Sequence, residues 1–236
     1  MENWYRSPVA AFDVETTGLN VLEDRIVQAA LVVVGPDGSV ETEAWAGLID
    51  PGVPVPAAAS AIHGITDEVV RRSGIPAATA IPDLCRRFHE LAGRNLPLVI
   101  FNAPFDWPFI HAEAARHGCT MPGFNLIDPL VLDKGLDKFR RGKRTLVVTA
   151  HALGIRLDDA HSALADAVGA AAVARALAEK HLYLQTLPLS ELQDVQAQWY
   201  SRSAESFEAY LRNRGDRGVK IDRGWPIPDS VKEALG

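Results

Sequence analysis

Five side chains in three short stretches could do chemistry together. Asp13 and Glu15 flank Val14, Asp106 closes the run Asn102-Ala103-Pro104-Phe105-Asp106, and His161 and Asp166 bound His161-Ser162-Ala163-Leu164-Ala165-Asp166. Each acid stands among apolar neighbours, where ionised carboxylates lose hydration and repel one another. Divalent cations relieve both costs, and hard oxygen ligands suit Mg²⁺ or Mn²⁺. An imidazole with an ordinary pKa of about 6.5 can take a proton at neutral pH.

The elements around these residues decide whether they can cooperate. On a strand, Asp13 and Glu15 project to one face and Val14 to the other. Gly18, after Thr16 and Thr17, permits a tight turn. Asp106 follows a strand, in or beside the first turn of a helix, where an acid also meets the helix dipole favourably. Asn102 beside it could orient backbone or ligand through its amide. His161 and Asp166 would point roughly 140° apart on one continuous helix. They cooperate only if His161 sits in the preceding loop, which Asp158-Asp159 suits, and Asp166 on the second helical turn.

Apolar runs predict strands over 8–14, Ile26–Val34, Val40–Ile49, Leu96–Phe101 and Asn125–Ile127. The turn residues Gly35-Pro36-Asp37-Gly38 make the first three an antiparallel meander. Helices are predicted after Thr66, from Thr79 or Pro82 to Gly93, through Ala115, after the Asp128-Pro129 cap, and over Thr145–Leu153 and Ala163–His181. The result is an α/β fold with a mixed five-stranded sheet flanked by helices. Residues 1–187 form the main domain, and residues 188–236 a C-terminal helical appendage with an irregular tail. Ser190-Glu191-Leu192-Gln193 reads as a capping box for that helix. Leu192, Val195, Trp199, Phe207, Tyr210 and Leu211 make its apolar face.

The net charge of −6 argues against a globally electrostatic attraction to phosphate. Positive charge must then be local, and Lys134, Lys138, Arg140, Arg141, Lys143 and Arg144 supply a patch opposed only by Asp137. No apolar run is long enough to span a membrane. Met1 to Arg6 lacks the pattern of a secretion signal, and two cysteines, Cys85 and Cys119, without ligand spacing suit reduced thiols. A cytoplasmic location is expected.

In order, spacing and histidine variant, the three motifs resemble the DEDDh family of 3′–5′ exonucleases, which includes the epsilon proofreading subunit of bacterial replicative polymerase. Phe12-Asp13-Val14-Glu15-Thr16-Thr17-Gly18 matches the first motif, and the two runs ending at Asp106 and Asp166 match the second and third. Ile62-His63-Gly64-Ile65-Thr66 and Gly142-Lys143-Arg144 are similar to further family segments. The resemblance, over about residues 8–180, implies a ribonuclease H-like fold and hydrolysis of terminal phosphodiesters at single-stranded or frayed 3′ ends of DNA, releasing nucleoside 5′-monophosphates. It implies two Mg²⁺ or Mn²⁺ ions held by Asp13, Glu15, Asp106 and Asp166, with His161 as general base. It also implies nucleotide contacts from Thr16, Thr17, Gly18, Leu19, His63, Asn102, Phe105, Lys143 and Arg144. The alternatives are an RNA-trimming exoribonuclease of the same family, or a module attached to a DNA polymerase or sliding clamp. Gln185-Thr186-Leu187-Pro188-Leu189 is faintly similar to a clamp-binding peptide, against a plain connector between helices.

Overall fold

A computed structural model of the chain describes residues 3–157 and 162–235, so His161, Asp158 and Asp159 lie outside the described residues. Strands β1 (Val9–Thr16), β2 (Ile26–Val34) and β3 (Val40–Asp50) form the expected antiparallel meander. Gly38 turns the chain between β2 and β3 with φ of 85°, a conformation that favours glycine. Three two-residue strands complete the sheet: β4 (Ile75–Pro76), β5 (Leu98–Val99) and β6 (Leu126–Ile127). The order is β4-β3-β2-β1-β5-β6, with β5 and β6 parallel to β1 and β4 parallel to β3.

Among the described residues the sheet therefore has six strands where the sequence predicts five. The extra one, β4, is too short to carry an apolar pattern and contains a proline, which suits only an edge. Gly74 lets it close on β3, because a Cβ there would meet the Val70 carbonyl and the Asp50 N–H.

The helices are α1 (Ala57–His63), α2 (Asp67–Ser73), α3 (Ala77–Gly93), α4 (Ala103–Arg116), α5 (Pro129–Leu136), α6 (Leu146–Ala152), α7 (Ala163–Lys180), α8 (Leu182–Thr186), α9 (Leu189–Asn213) and α10 (Asp229–Leu235). Thr66, Asp128, Thr145 and Ser162 each accept a first-turn backbone N–H at the helix they precede. The predicted Ser190 capping box does not form: α9 already begins at Leu189, after Pro188, with no side-chain cap. Of all the described helices, none is long and apolar enough to cross a membrane. Cys85 and Cys119 are free thiols.

The pleat of β1 divides the core. Ala10, Phe12 and Val14 join Phe88, Trp107 and the other apolar residues of α3 and α4 on one face. Val9 and Ala11 meet α7 on the other. Alanines 163, 167, 170, 171, 174 and 178 are buried there, and their short side chains let α7 lie close to the sheet. Asp13 and Glu15 continue the Val9–Ala11 face, so the strand delivers them to the side where α7 begins.

Helix α9 packs along α5 and reaches β6. Beyond it, Trp225 is buried in the same cluster as Phe12 and Phe88. Gln185 donates to the carbonyls of Ala178 and Glu179, tying the Gln185–Leu189 segment back to α7.

Candidate active site

Asp13, Glu15 and Asp166 converge, each offering one carboxylate oxygen, with these atoms all within 4.8 Å of one another. All three are half-buried. Two devices bring Asp166 there. Ser162 caps α7 through the Ala165 N–H, and Gln28 of β2 accepts the Ala163 N–H at 3.0 Å. The β1–β2 register shifts between Glu15 and Thr16, where β2 has one extra residue. Such bulges commonly re-aim side chains beside sites.

Asp106 approaches from the opposite side of β1. Ala10 donates its N–H to Pro97, so alternate N–H groups of β1 face β5. Because β5 ends at Val99, the N–H of Val14 has no strand partner on that side, and Asp106 accepts it at 2.9 Å. Asp106 is 3 % exposed and stands outside the three-residue cluster, yet it raises the Asp13 pKa electrostatically.

Charge is concentrated here. Burial, then Asp106, Asp166 and Glu15, pushes the Asp13 carboxyl well above the ordinary range. Burial and then Asp166 push Glu15 up to about 7. Burial raises Asp106 as well, against the lowering effect of the Val14 N–H. No lysine or arginine is paired with Asp13, Glu15 or Asp106 among the described residues. An all-oxygen set of acids held together at such cost fits one or more hard divalent cations.

The residues after Glu15 mostly build the turn. Thr16 donates its hydroxyl to the Gly18 carbonyl at 2.6 Å. Thr17 donates to Asp24 and accepts the Arg25 N–H, both at 3.0 Å. A Cβ on Gly18 would overlap the Asp24 carboxylate, which is held by Thr17 and the Asn20 N–H. Leu19 at the tip is 82 % exposed, an apolar surface beside the acids. His63 uses both ring nitrogens on backbone: Nδ1 accepts the Ile65 N–H at 3.1 Å, so Nε2 carries the proton and donates to the Thr16 carbonyl at 3.2 Å. Burial lowers its pKa, in keeping with a neutral ring.

Asn102 is exposed in the left-handed region, with φ of 67°. Phe105 is half-buried, its ring 5.0 Å from that of Phe109. Lys143 is exposed, whereas Arg144 is tied to Asp133 at 2.6 Å and to the carbonyls of Asp133, Asp137 and Arg140. Arg140 shares Asp133 with it, so two cations of the basic patch serve the fold internally.

Asp128 plays a part that the sequence shows only as a helix cap. Its buried carboxylate accepts from Leu130 and Val131 in α5, but also from the N–H groups of Asn102 and Ala103 at 3.0 and 2.9 Å. It thus holds the start of α4, three residues before Asp106. Trp225 donates to the same carboxylate, and Gln196 of α9 accepts the Asp128 N–H. Gln28 had a visible signal, a lone amide within an apolar strand; the second role of Asp128 had none.

Residues 10–174 match the profile of the Exonuclease family RNase_T. A DNA polymerase III subunit epsilon-like protein of Rhodobacter capsulatus is 36 % identical over 163 residues, covering 68 % of this chain and 22 % of that protein. A DNA polymerase III PolC-type of Listeria welshimeri is 32 % identical over 163 residues, covering 69 % of this chain and 11 % of that protein. The chain thus spans about a fifth or less of these relatives' length. Among solved structures, E. coli Exonuclease I in complex with a dA16 oligonucleotide superposes with a TM-score of 0.62 at 21 % identity, covering 76 % of this chain and 42 % of that one. That likeness shows the fold, a ribonuclease H-like mixed sheet flanked by helices.

Proposed function

Since the chain belongs to the DEDDh family of 3′–5′ exonucleases, we propose that it removes nucleotides from single-stranded or frayed 3′ ends of DNA and releases nucleoside 5′-monophosphates. The observation that carries this reading is the convergence of the Asp13, Glu15 and Asp166 carboxylates within 4.8 Å. The names of the relatives, a DNA polymerase III subunit epsilon-like protein and a DNA polymerase III PolC-type, favour DNA and a place in replication or repair, with a polymerase as the candidate partner.

Asp13, Glu15 and Asp166 would hold divalent metal, Mg²⁺ or Mn²⁺, with Asp106 serving a second ion. Bound metal would supply Lewis-acid polarisation of the scissile phosphate and stabilisation of developing charge. The chain's own groups do the rest. His161, assigned by its motif, takes a proton from the attacking water. The water oxygen bonds to phosphorus, the P–O3′ bond breaks, and the 3′-oxygen leaves with the shortened strand, taking a proton from solvent to become its new 3′-hydroxyl. Val14 N–H fixes the Asp106 carboxylate, and His63 fixes the Thr16 carbonyl, so the backbone after Glu15 keeps its shape. Leu19 offers an exposed apolar contact for the terminal base, with Phe105, Asn102 and Lys143 as further candidates.

The test is digestion of 5′-labelled single-stranded DNA and RNA of matched sequence, with Mg²⁺ or Mn²⁺ and with EDTA. A descending ladder on DNA that requires metal and vanishes in Asp13→Ala and Asp166→Ala is expected, as is a His161→Ala variant whose kcat falls far more than its affinity. Shortening of RNA alone would transfer the reading to RNA trimming, and no shortening with either metal would end it.

A further inference from the structure

A groove of about 500 Å³ runs between α5 and the outer half of α9, away from the acid cluster. Lys134, Lys138 and Arg202 line it together with Trp199, Phe207 and Tyr210. No carboxylate lines it, and those three cations form no ion pair among the described residues. That is notable in a chain of net charge −6, where acids outnumber bases. Arg144, at the same groove, is neutralised by Asp133.

The aromatic residues are out of place for a self-packed helix. Phe207 and Tyr210 are 52 % and 51 % exposed, although they extend the apolar face of α9. Their rings lie nearly parallel, with centroids 6.4 Å apart and planes 16° from parallel. Arg214 covers one side of Tyr210. Unpaired cations beside exposed, parallel aromatic rings are the combination that holds a single strand without reading its sequence: phosphates meet the cations, and flat bases stack on the rings. An acidic peptide would satisfy the cations but has less use for flat parallel rings.

The groove and the acids share one buried support. Asp128, which holds Asn102 and Ala103 and acts electrostatically on Asp106, caps α5. Lys134 lies six residues further along that helix, about 9 Å at the usual rise per residue. We propose that this groove carries the single-stranded nucleic acid upstream of the 3′ end being trimmed. The proposal rests on the exonuclease reading for the strand's presence, but not on turnover for its test.

The test is binding of the full chain to fluorescent oligothymidylate of about 20 nucleotides in EDTA, against a trinucleotide and a polyglutamate peptide of similar charge. Phe207→Ala should weaken binding of the long strand about tenfold. Arg202→Gln should make the log–log salt dependence shallower by about 0.7. Both should bind the trinucleotide like the parent chain. Unchanged affinity and salt slope in both variants would overturn the proposal, as would a loss confined to the acidic peptide. Because no metal is present, loss of long-strand binding supports the groove even if no strand shortening is ever seen, whereas robust shortening with both variants binding normally removes the groove alone.

Discussion

Gln28 is the only polar side chain in the run Ile26–Val34, and its Oε1 accepts the N–H of Ala163 at the head of α7. That bond pins the turn of helix that carries Asp166 to the strand beside Asp13. Gln28→Leu keeps the apolar character of the strand but leaves a part-buried N–H without its partner, a cost of about 1–3 kcal/mol. We expect this variant to lower kcat for strand shortening about tenfold with little change in KM, since the loss is one of carboxylate placement. Equal kcat in steady-state digestion would show that Ser162 alone suffices to place the helix. The same residue marks what can be read from a sequence. Asp13, Glu15 and Asp166 are legible because spacing fixes which face of a strand or helix each one takes. The inward hydroxyls of Thr16 and Thr17 are not, because their orientation depends on Asp24 and the Gly18 carbonyl folding back onto the turn. Nor does a run of bases disclose that Arg140 and Arg144 both close on Asp133.

Helix contacts extend this logic. Gly135 lets α5 and α9 meet, because a Cβ there would overlap the Trp199 ring. Gly135→Ala would gain helix propensity yet force the two helices apart, and overpacking of this kind costs about 1–3 kcal/mol. For a chain of this size, the thermal midpoint should fall by roughly 2–6 °C. Long-strand binding should weaken with it, since Trp199 lines the groove. A midpoint equal to or above that of the parent would mean that α9 is only loosely seated. The caps at Thr66 and Asp128 were legible because a capping side chain acts within three residues of itself; those at Thr145 and Ser162 stand at helix starts that the apolar pattern alone had placed. The start of α9 was not: Pro188 lets the helix begin one residue before the apparent Ser190 cap. Strand β4 was hidden for a different reason, since two residues on a sheet edge owe their conformation to β3 rather than to any pattern of their own.

For the whole molecule, the acid cluster makes stability depend on pH in a direction that metal should reverse. The folded-state pKa values of Asp13, Glu15 and Asp106 are all raised, Glu15 from 4.5 to about 7. A carboxyl raised in the folded state favours folding while protonated, and that advantage is lost as pH climbs through its folded pKa. Without metal, these acids should therefore destabilise the fold increasingly between about pH 5 and pH 8. Asp222, lowered to about 2, changes its contribution only below about pH 4 and does not interfere. His63 and His111 do interfere: burial lowers both, so they stabilise the fold as pH rises. The informative quantity is thus the difference between the parent chain and Glu15→Gln, which shares both histidines. In EDTA, Glu15→Gln should melt about 2–4 °C above the parent near pH 8 and converge with it near pH 5. Adding Mg²⁺ or Mn²⁺ near pH 8 should raise the parent's midpoint and close that gap, with little effect near pH 5, where protons compete for the same oxygens. A gap independent of pH, or one that metal leaves open, would mean that Glu15 does not share its charge field with Asp13 and Asp166.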